Sequence, residues 1–255
     1  STDSTALGVG ATASGTSSTA LGDSATASGT DSIAIGNSAA ALQTNSIAIG
    51  TSASASGYYS TALGGGAQAS NSGSTALGNF ASASGFKSTS VGSNAIASGT
   101  NSTALGTTAT ASGTGSTALG TNASASGSYS TALGSAANAS GSQSIAIGGA
   151  TNANSAASAS GTNSIAIGTN ASASGNGSTA LGLGANASGN NSTAIGYNAS
   201  AGDNEVSIGS NTASVKISSL AGNEARTVTV LADGTLSTTN TASSSYSAET
   251  QIQIG

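Results

Sequence analysis

The 255-residue sequence contains no Pro, Cys, His, Met or Trp, and only 4% of its residues are charged and 3% aromatic. Without His and Cys, the commonest general base, the thiolate nucleophile and the usual transition-metal ligands are missing. The few carboxylates are scattered along the chain, so neither catalysis nor a metal nor any other cofactor is expected. Three basic residues and a net charge of -5 cannot neutralise a row of phosphates, which argues against nucleic acid and anionic membranes as partners. No apolar run is long enough to span a bilayer as a helix, so no direct membrane insertion by this segment is expected. The lack of Cys removes disulfides as staples of the fold. With 36% hydrophobic residues and almost no charge, the chain also lacks the signature of disorder.

What is there is a repeat. The block Ser4-Thr5-Ala6-Leu7-Gly8 recurs with its glycine at 8, 22, 36, 50, 64, 78, 92, 106, 120, 134 and 148, a period of 14. After six extra residues, 149–154, the series resumes at Gly168, Gly182 and Gly196, and a weaker copy ends at Gly209. Seven residues after most of these glycines stands a second block of the form Ala11-Thr12-Ala13-Ser14-Gly15. The pattern predicts two five-residue strands per period, joined by two-residue links. Helix fails, because apolar residues alternate with period two and a Gly every seventh residue would cost about 1 kcal/mol each relative to Ala. The expected fold class is an all-β solenoid of about 15 coils, one coil per 14 residues.

Comparison of the copies assigns the faces. The Ser4 column is Ser, and the Ala11 and Ala13 columns are Ala, in all fourteen full copies, whereas the Thr12 column varies as a solvent face does. Strand alternation sets Ala6 with Ser4 and Gly8 on one side, and Thr5 with Leu7 on the other. Two-residue links reach about 10 Å at most, so only Ala, Ser and Gly fit between the two layers of a coil. The large aliphatics must then lie outside: Leu7, Leu21, Ile35, Ile49, Leu63, Leu77, Val91, Leu105, Leu119, Leu133, Ile147, Ile167, Leu181 and Ile195, joined by Ile33, Ile47, Ile145 and Ile165 in the Thr5 column. At about 4.8 Å per coil they make an apolar row roughly 70 Å long. A soluble monomer rarely exposes such a patch, and burying each side chain contributes about 1.5–3 kcal/mol. These residues are therefore the expected interface of a homo-oligomer. A monomeric rod with the aliphatics turned inside is the competing arrangement.

The Ser-Ile-Ala-Ile-Gly and Ser-Thr-Ala-Leu-Gly blocks, with Ala-x-Ala-Ser-Gly between them, resemble the head repeats of trimeric autotransporter adhesins, the YadA-like head, over about residues 1–202. The resemblance implies a left-handed parallel β-roll, three chains around a threefold axis, and a place on the surface of a Gram-negative bacterium. It also implies adhesion to host matrix, cells or other bacteria, through an extracellular-matrix component or a cell-surface receptor or glycan. Residues 203–222, from Asp203 to Gly222, are similar to the neck of that family. Residues 223–255 depart from it: Arg226–Leu231 and Gly234–Thr238 read as a β-hairpin rather than the start of a coiled coil. That hairpin resembles shaft pieces of tail fibres, so part of a phage-like or contractile-injection tail fibre is the alternative function. An ice-binding solenoid is a third, weakened by the Ile residues that interrupt the Thr row. The start in mid-pattern at Ser1 and the strand-like close at Gln251–Gly255 lead to the expectation of a longer native chain, anchored through regions outside this sequence.

Chemical character is confined to the links. All six aromatics before residue 203 (Tyr58, Tyr59, Phe80, Phe86, Tyr129 and Tyr197) fall in them, as do Asp3, Asp23, Asp31 and Lys87. Tyr58 and Phe86 share one link position two coils apart, and Tyr59 and Lys87 share the next. These four form the candidate ligand-binding patch, since exposed Tyr beside a basic residue is characteristic of contact hot spots. Residues 149–154 are small and polar and are expected to leave the coil as a loop.

Overall fold

The computed structural model describes residues 2–150, 153–210, 226–230 and 236–240, with backbone alone for Ala153 and the last two stretches. The chain divides into two compact units, Ser1–Ala213 and Ser214–Gly255. The first is a parallel solenoid of two sheets. One sheet stacks fifteen three-residue strands, from Thr5–Leu7 and Thr19–Leu21 to Val206–Ile208; the other stacks fourteen two-residue strands, from Thr12–Ala13 to Ser200–Ala201. Every strand pairs with the one a coil further on, like with like: Thr5 with Thr19, Ala6 with Ala20, Leu7 with Leu21.

The strands are shorter than the five residues expected from the pattern, and the reason is local. The second residue of nearly every link is left-handed, as at Asp31 (φ 56°) and Asn101 (φ 56°), which is why Asn, Asp and Gly recur at those positions. Tight turns then draw in the flanking residues: Ala25 N–H donates to Gly22 O (3.3 Å), and Ser32 N–H donates to Gly29 O (3.3 Å). Hydrogen bonding between coils nevertheless runs on through the corners. Gly22 N–H donates to Leu7 O (2.9 Å), Ser24 N–H to Val9 O (2.8 Å) and Asp31 N–H to Thr16 O (2.9 Å). Strand and turn backbone are therefore both satisfied by the coil next door.

Between the sheets lies a core of alanine methyls. From Ala20 to Ala199, the Ala6, Ala11 and Ala13 columns are fully buried, as is Ser90, which stands in for Ala and donates its hydroxyl to Ala95 O (2.7 Å). The large aliphatics lie outside the coil, as strand alternation requires.

The unvarying Ser column has a second cause besides size. From Ser18 to Ser192 these side chains are fully buried, and at several coils the hydroxyl hooks the corner: Ser60 Oγ donates to Gly57 O (2.6 Å) and accepts from Gly57 N–H (3.2 Å). Ser116 Oγ, equally buried, has no hydrogen-bond partner. Ser60→Ala is accordingly expected to lower stability by about 1 kcal/mol, while Ser116→Ala should be neutral or slightly stabilising. Parallel urea melts of the two variants check the difference.

Ladder bonds continue on either side of residues 151 and 152. Ala150 N–H donates to Ser135 O (3.0 Å), and Asn170 N–H, one coil on, donates to Ser155 O (2.6 Å), with a single 3-10 turn at Ala153–Ser155. In the second unit, Arg226–Val230 pairs antiparallel with Leu236–Asn240, Val228 opposite Thr238. Residues 211–225 of the neck-like stretch and hairpin start, the hairpin connection 231–235 and the close 241–255 lie outside the described residues.

Candidate functional site

Two surfaces of the solenoid stand out. The first is the outer face of the three-residue sheet. Leu21, Leu63, Leu77, Leu105, Leu119, Leu133, Leu181 and Ile195 are each 37–43% exposed although a neighbouring coil flanks them on both sides, and Leu7 at the end is more exposed still. Val91 and the Ile residues at 33, 35, 47, 49, 145, 147, 165 and 167 are half-buried. The isoleucines form two bands, Ile33 and Ile35 in register with Ile47 and Ile49, and Ile145 and Ile147 in register with Ile165 and Ile167. β-Branched pairs screen one another along the stack better than Leu beside Thr, which accounts for the lower exposure within the bands.

The second surface is the edge formed by the links that follow the two-residue strands. Tyr58, Ser72 and Phe86 occupy successive coils, as do Tyr59, Gly73 and Lys87. Backbone bonds lock the stack: Gly73 N–H donates to Tyr58 O (2.8 Å), Lys87 N–H to Ser72 O (3.0 Å), and Asn101 N–H to Phe86 O (2.8 Å). Two coils separate the members of each pair, a rise of about 10 Å. The four side chains are exposed, Tyr59 to 67%. Lys87 bends back over its neighbour, its Nζ 5.2 Å from the centre of the Phe86 ring, a cation–π contact. A Cβ on Gly73 would come within 3.2 Å of Lys87 Cγ, so the lysine stem rests on glycine backbone. The patch thus has two open phenol rings at one end and a capped ring with the head's one cation at the other.

Both edges carry contacts that the residue pattern alone did not display. Tyr129 lies over Gly115, and on the opposite edge Phe80 lies over Gly66; a Cβ on these glycines would approach the ring carbons to 2.8 Å and 2.5 Å. Side chains at the left-handed position lean back across the preceding coil, and glycine there makes the room. The sequence signal was a Gly fourteen residues before a bulky link residue. It becomes readable only once the lean is known. Among the described residues no three or more Asp, Glu, His or Cys side chains come together in a way that could hold a metal ion, and no helix is long and apolar enough to cross a membrane.

The YadA head domain repeat matches residues 1–25, 27–53, 55–81 and 83–109, and then, in overlapping copies, 97–123, 111–137, 125–151, 139–171, 159–185, 173–199 and 187–212. The chain belongs to the YadA head family. Among solved structures, the collagen-binding domain of the Yersinia adhesin YadA is similar, with 27% identity over 70% of this chain and 82% of that one and a TM-score of 0.40. No curated protein matches the chain. YadA-like heads are the surface-exposed, extracellular parts of autotransporter adhesins, and an adhesin-type role comes to this chain with the family.

Proposed function

We propose that this YadA-like head is non-enzymatic and works as a homotrimer, three copies closing around the row from Leu7 to Ile195 and presenting the outer edges to a ligand on host matrix, cells or other bacteria. The observation that carries the reading is the continuous apolar row on one sheet face. The Ala-filled coil offers little other hydrophobic stabilisation, so the row needs a partner of the same length and the same period, and another copy of the chain has both. Residues 203–222 serve in this reading as the neck, and 223–255 as a shaft piece.

The ligand contact is assigned to Tyr58, Tyr59, Phe86 and Lys87, which combine exposed aromatic area with the single positive charge of the repeat region. Changing the four to Ser is expected to reduce attachment of head-coated beads to immobilised extracellular matrix, collagen included, by about tenfold or more, without altering the melting curve. Unchanged attachment would remove the patch from the binding surface.

A further inference from the structure

We propose that the same edge carries a second site, between Tyr129 and Asn191, for a short uncharged oligosaccharide. Tyr129 supplies a fixed aromatic platform. Its backbone N–H donates to Thr114 O (2.7 Å), its ring carbons lie against Gly115, and the residue remains 66% exposed. A ring braced on backbone in a residue this exposed offers aromatic surface to the apolar C–H face of a pyranose, which is drawn to the negative face of the π-system.

Three coils on, about 14 Å along the edge, the glycine at 177 leaves a notch lined by Thr162, Asn163, Asn176, Asn190 and Asn191. Its amides are held in a ladder. Thr162 N–H donates to Asn176 Oδ1 (2.9 Å), Asn176 N–H to Asn190 Oδ1 (3.1 Å), and Asn190 N–H to Asp203 Oδ1 (2.6 Å). A backbone N–H must be met by oxygen, so the Nδ2 groups of Asn176 and Asn190 are the ends left over as donors, one coil apart. Gln143 and Asn163, both exposed, bridge the space between ring and notch.

The chemistry selects the ligand class. From residue 88 to residue 202 there is no charged side chain, and the nearest carboxylate, Asp203, is engaged with Asn190 N–H, so no basic group is at hand for an anionic ligand. An added peptide strand finds no partners either, because the corner N–H and C=O groups are spent on neighbouring coils, as in Tyr129 to Thr114 and Gln143 to Ser128. A platform followed by preset amides, spaced by a coil rise close to the advance of one ring in an extended β-linked glycan, matches a neutral oligosaccharide.

The site rests on the adhesin reading only in that the edge must stay open in the assembled head. The test titrates the intact trimer with cellotetraose, chitotetraose and maltotetraose, read by saturation-transfer NMR. Saturable binding to at least one is expected, with transfer from the Tyr129 ring. Tyr129→Ser should weaken it about tenfold. Gly177→Asn should do the same by filling the notch, and it is compatible with the backbone because Asn163 and Asn191 hold that position with φ 58° and 52°. Tyr58→Ser with Phe86→Ser should leave sugar binding intact while reducing matrix attachment, which keeps the two sites distinguishable. No saturable binding to any of the three sugars, or binding indifferent to both Tyr129→Ser and Gly177→Asn, would overturn the proposal.

Discussion

Gly106→Ala is expected to destabilise the head by about 3 kcal/mol or more, far beyond the usual Gly-to-Ala effect. Gly106 sits at φ +139°, a region closed to side chains, which alone costs about 1–3 kcal/mol. An added methyl would also fall 2.5 Å from the carbonyl oxygen of Gly120 on the next coil. Neither partner can yield, because both are backbone held in a ladder of identical contacts: Gly92 against Gly106, Gly106 against Gly120, Gly120 against Gly134. A solenoid transmits stability only between neighbours, so one failed junction weakens the stack locally. Lower thermal stability and lost amide-exchange protection around Gly120 are the expected readouts. Gly177→Asn should differ from wild type by no more than about 0.5 kcal/mol. Equal effects of the two substitutions would show that glycine stacking is not what fixes the column.

Leu105→Asp combined with Leu119→Asp is expected to convert the proposed trimer into monomers. In the proposed assembly the pair removes two buried aliphatics per chain, each contributing about 1.5–3 kcal/mol, and places six carboxylates around one stretch of the axis. Burying unpaired charge there costs several kcal/mol per ion. Light scattering should show three times the chain mass for the unsubstituted head and one chain mass for the variant, against the 23.2 kDa of a single chain. Monomeric wild type, or a variant that stays trimeric, would mean that the row packs against something else.

Much of this fold was open to reading because its determinants are periodic. Ala6, Ala11 and Ala13 recur too faithfully to be anything but enclosed, and Leu7 alternates with Ala6, so the inside and outside of the coil followed from strand geometry. Strand length did not. It depends on the left-handed residue in each link, and at Ser17, Ser24 or Thr108 that conformation is imposed by the ladder rather than by the residue's own preference. The hydroxyl hook of Ser60 was hidden for a different reason, since size alone already explained a small residue there. The candidate edge was legible as composition, through the clustering of aromatics in links. The seating of Tyr129 on Gly115 and the amide ladder at Asn176 and Asn190 were not, because both join residues one coil apart through a side-chain direction that no single repeat displays.

The bonds that join one coil to the next, such as Gly120 N–H to Leu105 O at 2.9 Å, run parallel to the long axis of the solenoid. Tension applied along that axis therefore opens coils in sequence instead of shearing many bonds at once. Each coil that yields frees 14 residues, about 45 Å of slack. In a trimer the aliphatic row clamps every coil to its two counterparts, so that slack is withheld until three chains part together. An attachment device built this way resists steady drag as a stiff spacer and meets a sudden load by paying out length coil by coil.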